Sequence, residues 1–371
     1  MKRICSGTWM IPVALFALLF FAYRQPPLAL PMDSHYSMLL SENLLKHGTF
    51  QLDRYFQLPV SPYKYPGMDA INNTNYPYHV YVYQDHFYYL YPPGSAVLCV
   101  PFVAMLNARG ISAATDEERY SIWGEIRMER WIAPFVTALA CVFIFLSARA
   151  FLGVAPSLFV TLAFAFGTSL WSTTSRVMWT HTWGVCLLAL AIWLLVRSEV
   201  EGKRLPRIFF ATVLAWLCCV RPTYAITVGC VCAYLLFFRR RDFWFVVPVG
   251  VAWLAALVVY SLTVSGSAVL PYWKIGATLY NVVALEGVLG VLVSPSRGLL
   301  IYSPFVLVAA WLPCRYRPQG AALRLAWLAG AASLLHLVIV GVNSTWQGGH
   351  CYGPRYTVDF LPWLALLLTI G

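Results

Sequence analysis

Long apolar runs, separated by short polar breaks, fill almost the whole chain. Runs near 10–25, 128–148, 155–171, 181–197, 207–221, 223–238, 243–263, 300–313, 321–342 and 357–371 approach bilayer-crossing length. A helix needs about 20 such residues to cross. The pattern predicts an all-α polytopic membrane protein; a membrane β-barrel would show short alternating segments instead. The 207–221 and 223–238 runs are slightly short and meet at Arg221-Pro222. Met10 to Tyr23 reads as a retained signal-anchor span, because Arg24-Gln25-Pro26-Pro27 follows it rather than a small-residue cleavage site. The last run reaches Gly371, so the chain is expected to be a fragment that lacks a C-terminal region.

Charge gives this pattern a direction. Five short segments hold half of the 26 Lys and Arg: the N-terminus with Lys2 and Arg3, then 149–155, 197–207, 239–242 and 314–324. They hold few acids, only Glu199, Glu201 and Asp242. Dense basic charge in short loops marks the cytoplasmic side. The net charge of +11 is therefore topological, and no nucleic-acid partner is expected. By parity, Gly94 to Asn107 is read as a surface or re-entrant helix, although a true crossing is the alternative. Residues 26–127 then form the first large extracytoplasmic loop of a single transmembrane domain spanning 1–371. With 60% hydrophobic and 11% charged residues the chain lies far from soluble composition, about 45–50% and about 25%. Its ten cysteines make no disulfide framework or metal-ligand spacing. Cys141, Cys186, Cys218, Cys219, Cys230 and Cys232 fall in apolar runs as small hydrophobes.

The large loop has its own order. Asp33 is placed to cap a helix running to Lys46, and Gly48 suits its end. Tyr36, Leu40 and Leu44 would form the packed face of that helix. Aromatic alternation from Tyr78 to Tyr91 around Gln84-Asp85 predicts a β-hairpin.

The candidate chemistry lies on the outer face. Asp33 and His35 follow the first run, and Arg176 and His181 share one turn. Arg221, Arg297 and Arg355 stand near other outer ends. Convergent arginines can hold a phosphate through paired hydrogen bonds. Each residue also has a bland role: Asp33 as a cap, an arginine as an interface residue, His181 as a link between helices. Asp359 could pair with Arg355 on one helical turn. Tyr81, Tyr83, Tyr88 and Trp346 could stack on sugars or anchor the loop at the interface. The Asn72-Asn73-Thr74 and Asn343-Ser344-Thr345 triplets are glycosylation sequons that fall outside.

Four pieces carry a resemblance. They are the acid after the first run, Tyr91-Pro92-Pro93-Gly94, the turn from Ser175-Arg176 to His181, and Trp346-Gln347-Gly348-Gly349 with Tyr352-Gly353-Pro354-Arg355-Tyr356. Ser294-Pro295-Ser296-Arg297-Gly298 with Tyr302-Ser303-Pro304 adds to them. The chain resembles GT-C membrane glycosyltransferases that use polyprenyl-phosphate sugars, including family 39 protein O-mannosyltransferases and their bacterial relatives. It departs where Ser34 and His35 follow Asp33, since many relatives carry a second acid there. Tyr91 also stands where some relatives have a basic residue.

The resemblance implies a GT-C-like helix bundle in a bacterial inner membrane, with its active site facing outward. The donor would be a polyprenyl (dolichyl-type) phosphate sugar, and the acceptor a glycan, lipid or protein. Asp33 would act as general base for an inverting transfer, with Arg297, Arg355, Arg221 and Arg176 on the donor phosphate in that order. His35, His181, Tyr91 and Trp346 are possible substrate contacts. No metal or other cofactor is expected. The competing readings are a lipid-linked-sugar flippase or a non-catalytic partner in glycan assembly.

Overall fold

The computed structural model describes residues 9–25, 33–56, 77, 79–278, 284–349 and 351–371. The Lys2-Arg3 pair, the Asn72 sequon and Tyr78 lie outside them. The described chain is helical apart from one hairpin.

In chain order the helices are α1 (Met10–Arg24), α2 (Ser37–His47), α3 (Gly94–Asn107), α4 (Ile122–Ala148), α5 (Val154–Phe166), α6 (Thr180–Glu199) and α7 (Arg207–Val220). They continue with α8 (Ala225–Phe238), α9 (Arg240–Ser265), α10 (Pro271–Thr278), α11 (Ala284–Val293) and α12 (Leu299–Tyr302). The last are α13 (Phe305–Tyr316), α14 (Gly320–Gly341) and α15 (Leu361–Ile370). Four of them are long and apolar enough to cross a membrane: α4, α6, α9 and α14. The other expected spans form shorter helices, and the breaks have visible causes. Arg221 adopts an extended conformation before a 3-10 turn, Pro222–Tyr224, which splits α7 from α8. Ser303-Pro304 divides the expected 300–313 run into α12 and α13, as proline lacks the donor a helix needs. The 155–171 run stops at Gly167 and gives way to turns. The 128–148 run begins earlier, at Ile122, because the Ser121 hydroxyl caps it by accepting from Gly124 N–H at 3.1 Å.

The bundle is arranged around α4, α6 and α15. Helix α4 packs against α1, α5 and α6, while α15 touches α4, α5, α6, α13 and α14. Helix α15 is apolar all round, as a fully enclosed helix must be, and Trp363, Leu361 and Ala365 are buried. Helix α9 lies at the outside, packed on α7 and α8. It exposes Phe245, Val251, Leu254, Val259 and Leu262, an apolar surface suited to lipid.

The large loop folds against one end of this bundle. The expected hairpin is present: β1 (Val80–Tyr83) pairs antiparallel with β2 (His86–Tyr89). Gln84 and Asp85 both take positive φ, as a two-residue hairpin turn requires. The hairpin docks on the end of α9, where the Tyr81 hydroxyl donates to Val264 O at 3.0 Å. Tyr88 is buried in the same cluster with Leu257 and Leu270. Tyr81 and Tyr88 thus anchor the loop. Helix α2 ends as expected at Gly48, whose N–H donates to Leu44 O at 3.0 Å. Its start corrects the sequence expectation: Asp33 lies four residues before Ser37 and does not cap it.

Candidate functional site

The chain reverses and breaks its helices at the Thr180 end of α6, and charged side chains from distant segments meet there. Asp33, in the turn before α2, pairs with the guanidinium of Arg355. Arg355 opens a 3-10 helix, Arg355–Phe360, that leads into α15. Its Nε donates to His181 Nε2 at 3.3 Å. His181 Nδ1 lies 2.7 Å from Asp359 Oδ1. Because Nε2 faces a guanidinium donor, it accepts, so the ring is neutral with its proton on Nδ1 toward the carboxylate.

Asp359 is the hub of this network. Arg221 Nε donates to its Oδ2 at 2.8 Å and the Tyr224 hydroxyl to its Oδ1 at 3.1 Å. The Thr223 hydroxyl reaches Oδ2 at 3.4 Å. His336 Nε2 stands 3.6 Å from Oδ2. The expected pairing of Asp359 with Arg355 does not occur. In a 3-10 helix, with three residues per turn, positions i and i+4 point in different directions. The two residues therefore reach separate partners, Arg221 for Asp359 and Asp33 for Arg355.

Burial separates the two acids. The Asp359 side chain is 0% exposed, whereas that of Asp33 is 30% exposed. Asp33 is therefore the more accessible of the two carboxylates. Arg355 is nearly enclosed, its guanidinium carbon 4.0 Å above the Trp179 ring, a cation–π contact. Burial works against its charge, and the Asp33 carboxylate more than offsets this, holding its pKa above the usual arginine value. Arg221 and Arg355 share the half-buried Tyr356 ring, at 5.6 and 5.8 Å from its centroid.

The other candidates are distributed around this core. Arg297 Nη2 donates to Gly349 O at 2.8 Å, and its Nη1 to the carbonyls of Cys351 and Gly353. It thus holds the loop that delivers Arg355. Ser172 Oγ pins the same loop from the other side, donating to Tyr352 O at 2.9 Å. Gly353 sits at φ +77°, a conformation that favours glycine, with the Tyr302 ring against it. Trp346 is half-buried over Gly290 and serves as packing. Arg176 is half-buried in the turn before α6. His35 lies edge-on to His79, ring centroids 5.0 Å apart. Tyr91 packs on Tyr272 at 4.9 Å.

The sequence reading missed Thr223, Tyr224 and His336, all around Asp359, and three groups further out. Tyr272 on α10 lies in the electrostatic field of Arg221, Arg355 and Asp33, and burial raises its pKa. Its only sequence signal was an aromatic after a proline. Glu125 and Glu129 are both buried on one face of α4. Their i, i+4 spacing at the head of an apolar run was the available signal. Among the described residues no group of His, Cys, Asp and Glu could hold a metal ion.

An apolar cleft of about 580 Å³ lies between α13, α14 and α15, walled by Leu299, Val306, Leu334, Phe360 and Leu364 and reaching Cys314 and Arg317. Its wall residue Phe360 packs on His336, ring centroids 5.5 Å apart, but none of the network's charged groups lines it. No family model matches the chain, and no curated protein does.

Proposed function

We propose that this chain is an integral-membrane glycosyltransferase of the GT-C kind. It would move a sugar from a polyprenyl-phosphate donor to an acceptor on the extracytoplasmic face. The observation that carries this reading is the meeting of Asp33 with Arg355 at the exposed edge of a buried Arg221–Asp359–His181 network. The apolar cleft between α13, α14 and α15 supports it, since it offers a lipid tail a place within the bundle.

Asp33 accepts the proton of the acceptor hydroxyl as that oxygen attacks the anomeric carbon. The bond from that carbon to the phosphate oxygen breaks with inversion, and the electron pair leaves with the lipid phosphate. Arg355 and Arg221 are already in place for the charge that develops there. Preset donors of this type contribute about 10²–10³ in rate when one is removed. The four charges of the core cancel, two arginines against two aspartates. A bound phosphate therefore competes with Asp33 for Arg355 and frees the carboxylate for its role as base. Arg297 keeps a supporting part, because three carbonyls already engage it. The carboxylate and guanidinium set needs no metal for this chemistry, and the activated donor supplies the energy. A bacterial inner membrane is the setting we favour.

The test is transfer from a panel of polyprenyl-phosphate sugars by purified protein in nanodiscs, with lipid-sugar translocation in liposomes measured in parallel. Transfer supports the proposal. Translocation without transfer makes the chain a flippase, and neither activity leaves the reading of a non-catalytic partner.

A further inference from the structure

Asp33 sits in a turn closed by Ser37 N–H donating to Ser34 O at 2.9 Å. Tyr36, three residues on, adopts φ +67°, a left-handed conformation that bulky residues rarely accept. Such a geometry persists only where its surroundings enforce it. The N-cap residue Tyr36 makes no side-chain cap bond to α2. The cap comes from another helix: the buried Glu125 carboxylate accepts from Tyr36 N–H at 2.9 Å and from Met38 N–H at 2.8 Å. A negative group at a helix N-terminus is also favoured by the helix dipole. The Tyr120 hydroxyl donates to the same carboxylate. One helical turn along α4, the buried Glu129 accepts from Met178 N–H at 3.1 Å. Met178 precedes Trp179, the platform under Arg355.

We infer that Glu125 and Glu129 are positioning residues that hang the Asp33 turn and the Trp179 segment from one rigid helix face, fixing Asp33 against Arg355. This rests on the transferase reading above. Neither glutamate need touch the substrate. Their effect is on the distance between base and phosphate-holding cation, where a displacement of about 1 Å can cost about 10²-fold in rate.

The test uses full-length protein with Glu125→Gln and Glu129→Gln. Tyr36 and Met38 donate to separate oxygens of Glu125, so glutamine in the same pose turns its NH2 group toward one of these N–H donors. The expected result is a fall in kcat of about 10–100-fold, with KM for the lipid donor within about two-fold. Amide exchange should rise across 33–40 in Glu125→Gln and across 176–182 in Glu129→Gln. Tyr120→Phe removes one donor from the Glu125 carboxylate while sparing the backbone bonds. It should lower kcat by a smaller factor at unchanged KM, and it serves if the glutamine variants do not fold. A wild type that transfers sugar beside variants with unchanged kcat or unchanged exchange overturns the positioning role alone. A wild type that transfers no sugar from any donor overturns the transferase reading, and the positioning role falls with it.

Discussion

Helix α6 carries a charged cluster at each end, about 30 Å apart for its 20 residues, and the two are built differently. At the Glu199 end, Arg239 and Arg324 bind Glu199, and Arg207 and Arg239 bind Asp242. Those arginines are 22–38% exposed, so their charge reaches water. At the Thr180 end the cations are enclosed, with Arg221 and Arg355 only 7% and 8% exposed. Charge taken out of water is costly unless it is paired with good geometry. The first cluster pairs enclosed acids, Glu199 at 6% and Asp242 at 7% exposed, with arginines that reach water. The second maintains enclosed cations, with Asp33 as its more accessible acid, the kind of perturbed cluster that the proposed reaction would use.

The largest effect expected from this contrast is at Asp359. Asp359→Ala leaves Arg221 buried without its carboxylate, and breaking such a pair costs about 3–5 kcal/mol. Thermal unfolding in detergent should show a large drop in midpoint, and a midpoint near wild type would mean the network is looser than described. Gly184→Ala comes next. A Cβ there would stand 2.3 Å from the Tyr224 ring, whose hydroxyl donates to Asp359. Overpacking of this kind costs about 1–3 kcal/mol, and the unfolding midpoint should fall less than for Asp359→Ala. The smallest effect is at the opposite end. Arg324 is 38% exposed, and Arg324→Ala should cost only about 0.2–1 kcal/mol, less still in high salt. A loss matching that of Asp359→Ala would erase the distinction between the two ends.

The two ends were also unequally legible in the sequence. Apolar runs marked the helices because burial in lipid or core demands them, and the aromatic alternation around Gln84-Asp85 marked the hairpin. Asp33, Arg221, Arg355 and His181 were singled out, and they do converge. Their pairings were not legible. Asp33 and Arg355 stand 322 positions apart, and His181 and Asp359 stand 178 apart. No local spacing encodes such partners. The local expectations that failed, Asp33 as a cap and Asp359 beside Arg355, were overridden by tertiary contacts. Glu125 does the capping from another helix, and a 3-10 turn separates Asp359 from Arg355. Glu125 and Glu129 had a visible spacing, but their meaning depends on which backbone amides reach them.

On the proposed reading, Asp359 holds the site together while Asp33 does its chemistry. That reading is tested most directly by purified Asp33→Asn beside wild type, scored for unfolding midpoint, lipid-donor binding and sugar transfer. The expected result is a midpoint drop smaller than that of Asp359→Ala, because the asparagine oxygen can still accept from Arg355, with retained donor binding and transfer lowered by about 10²–10⁴-fold. Transfer at the wild-type rate by Asp33→Asn would contradict it.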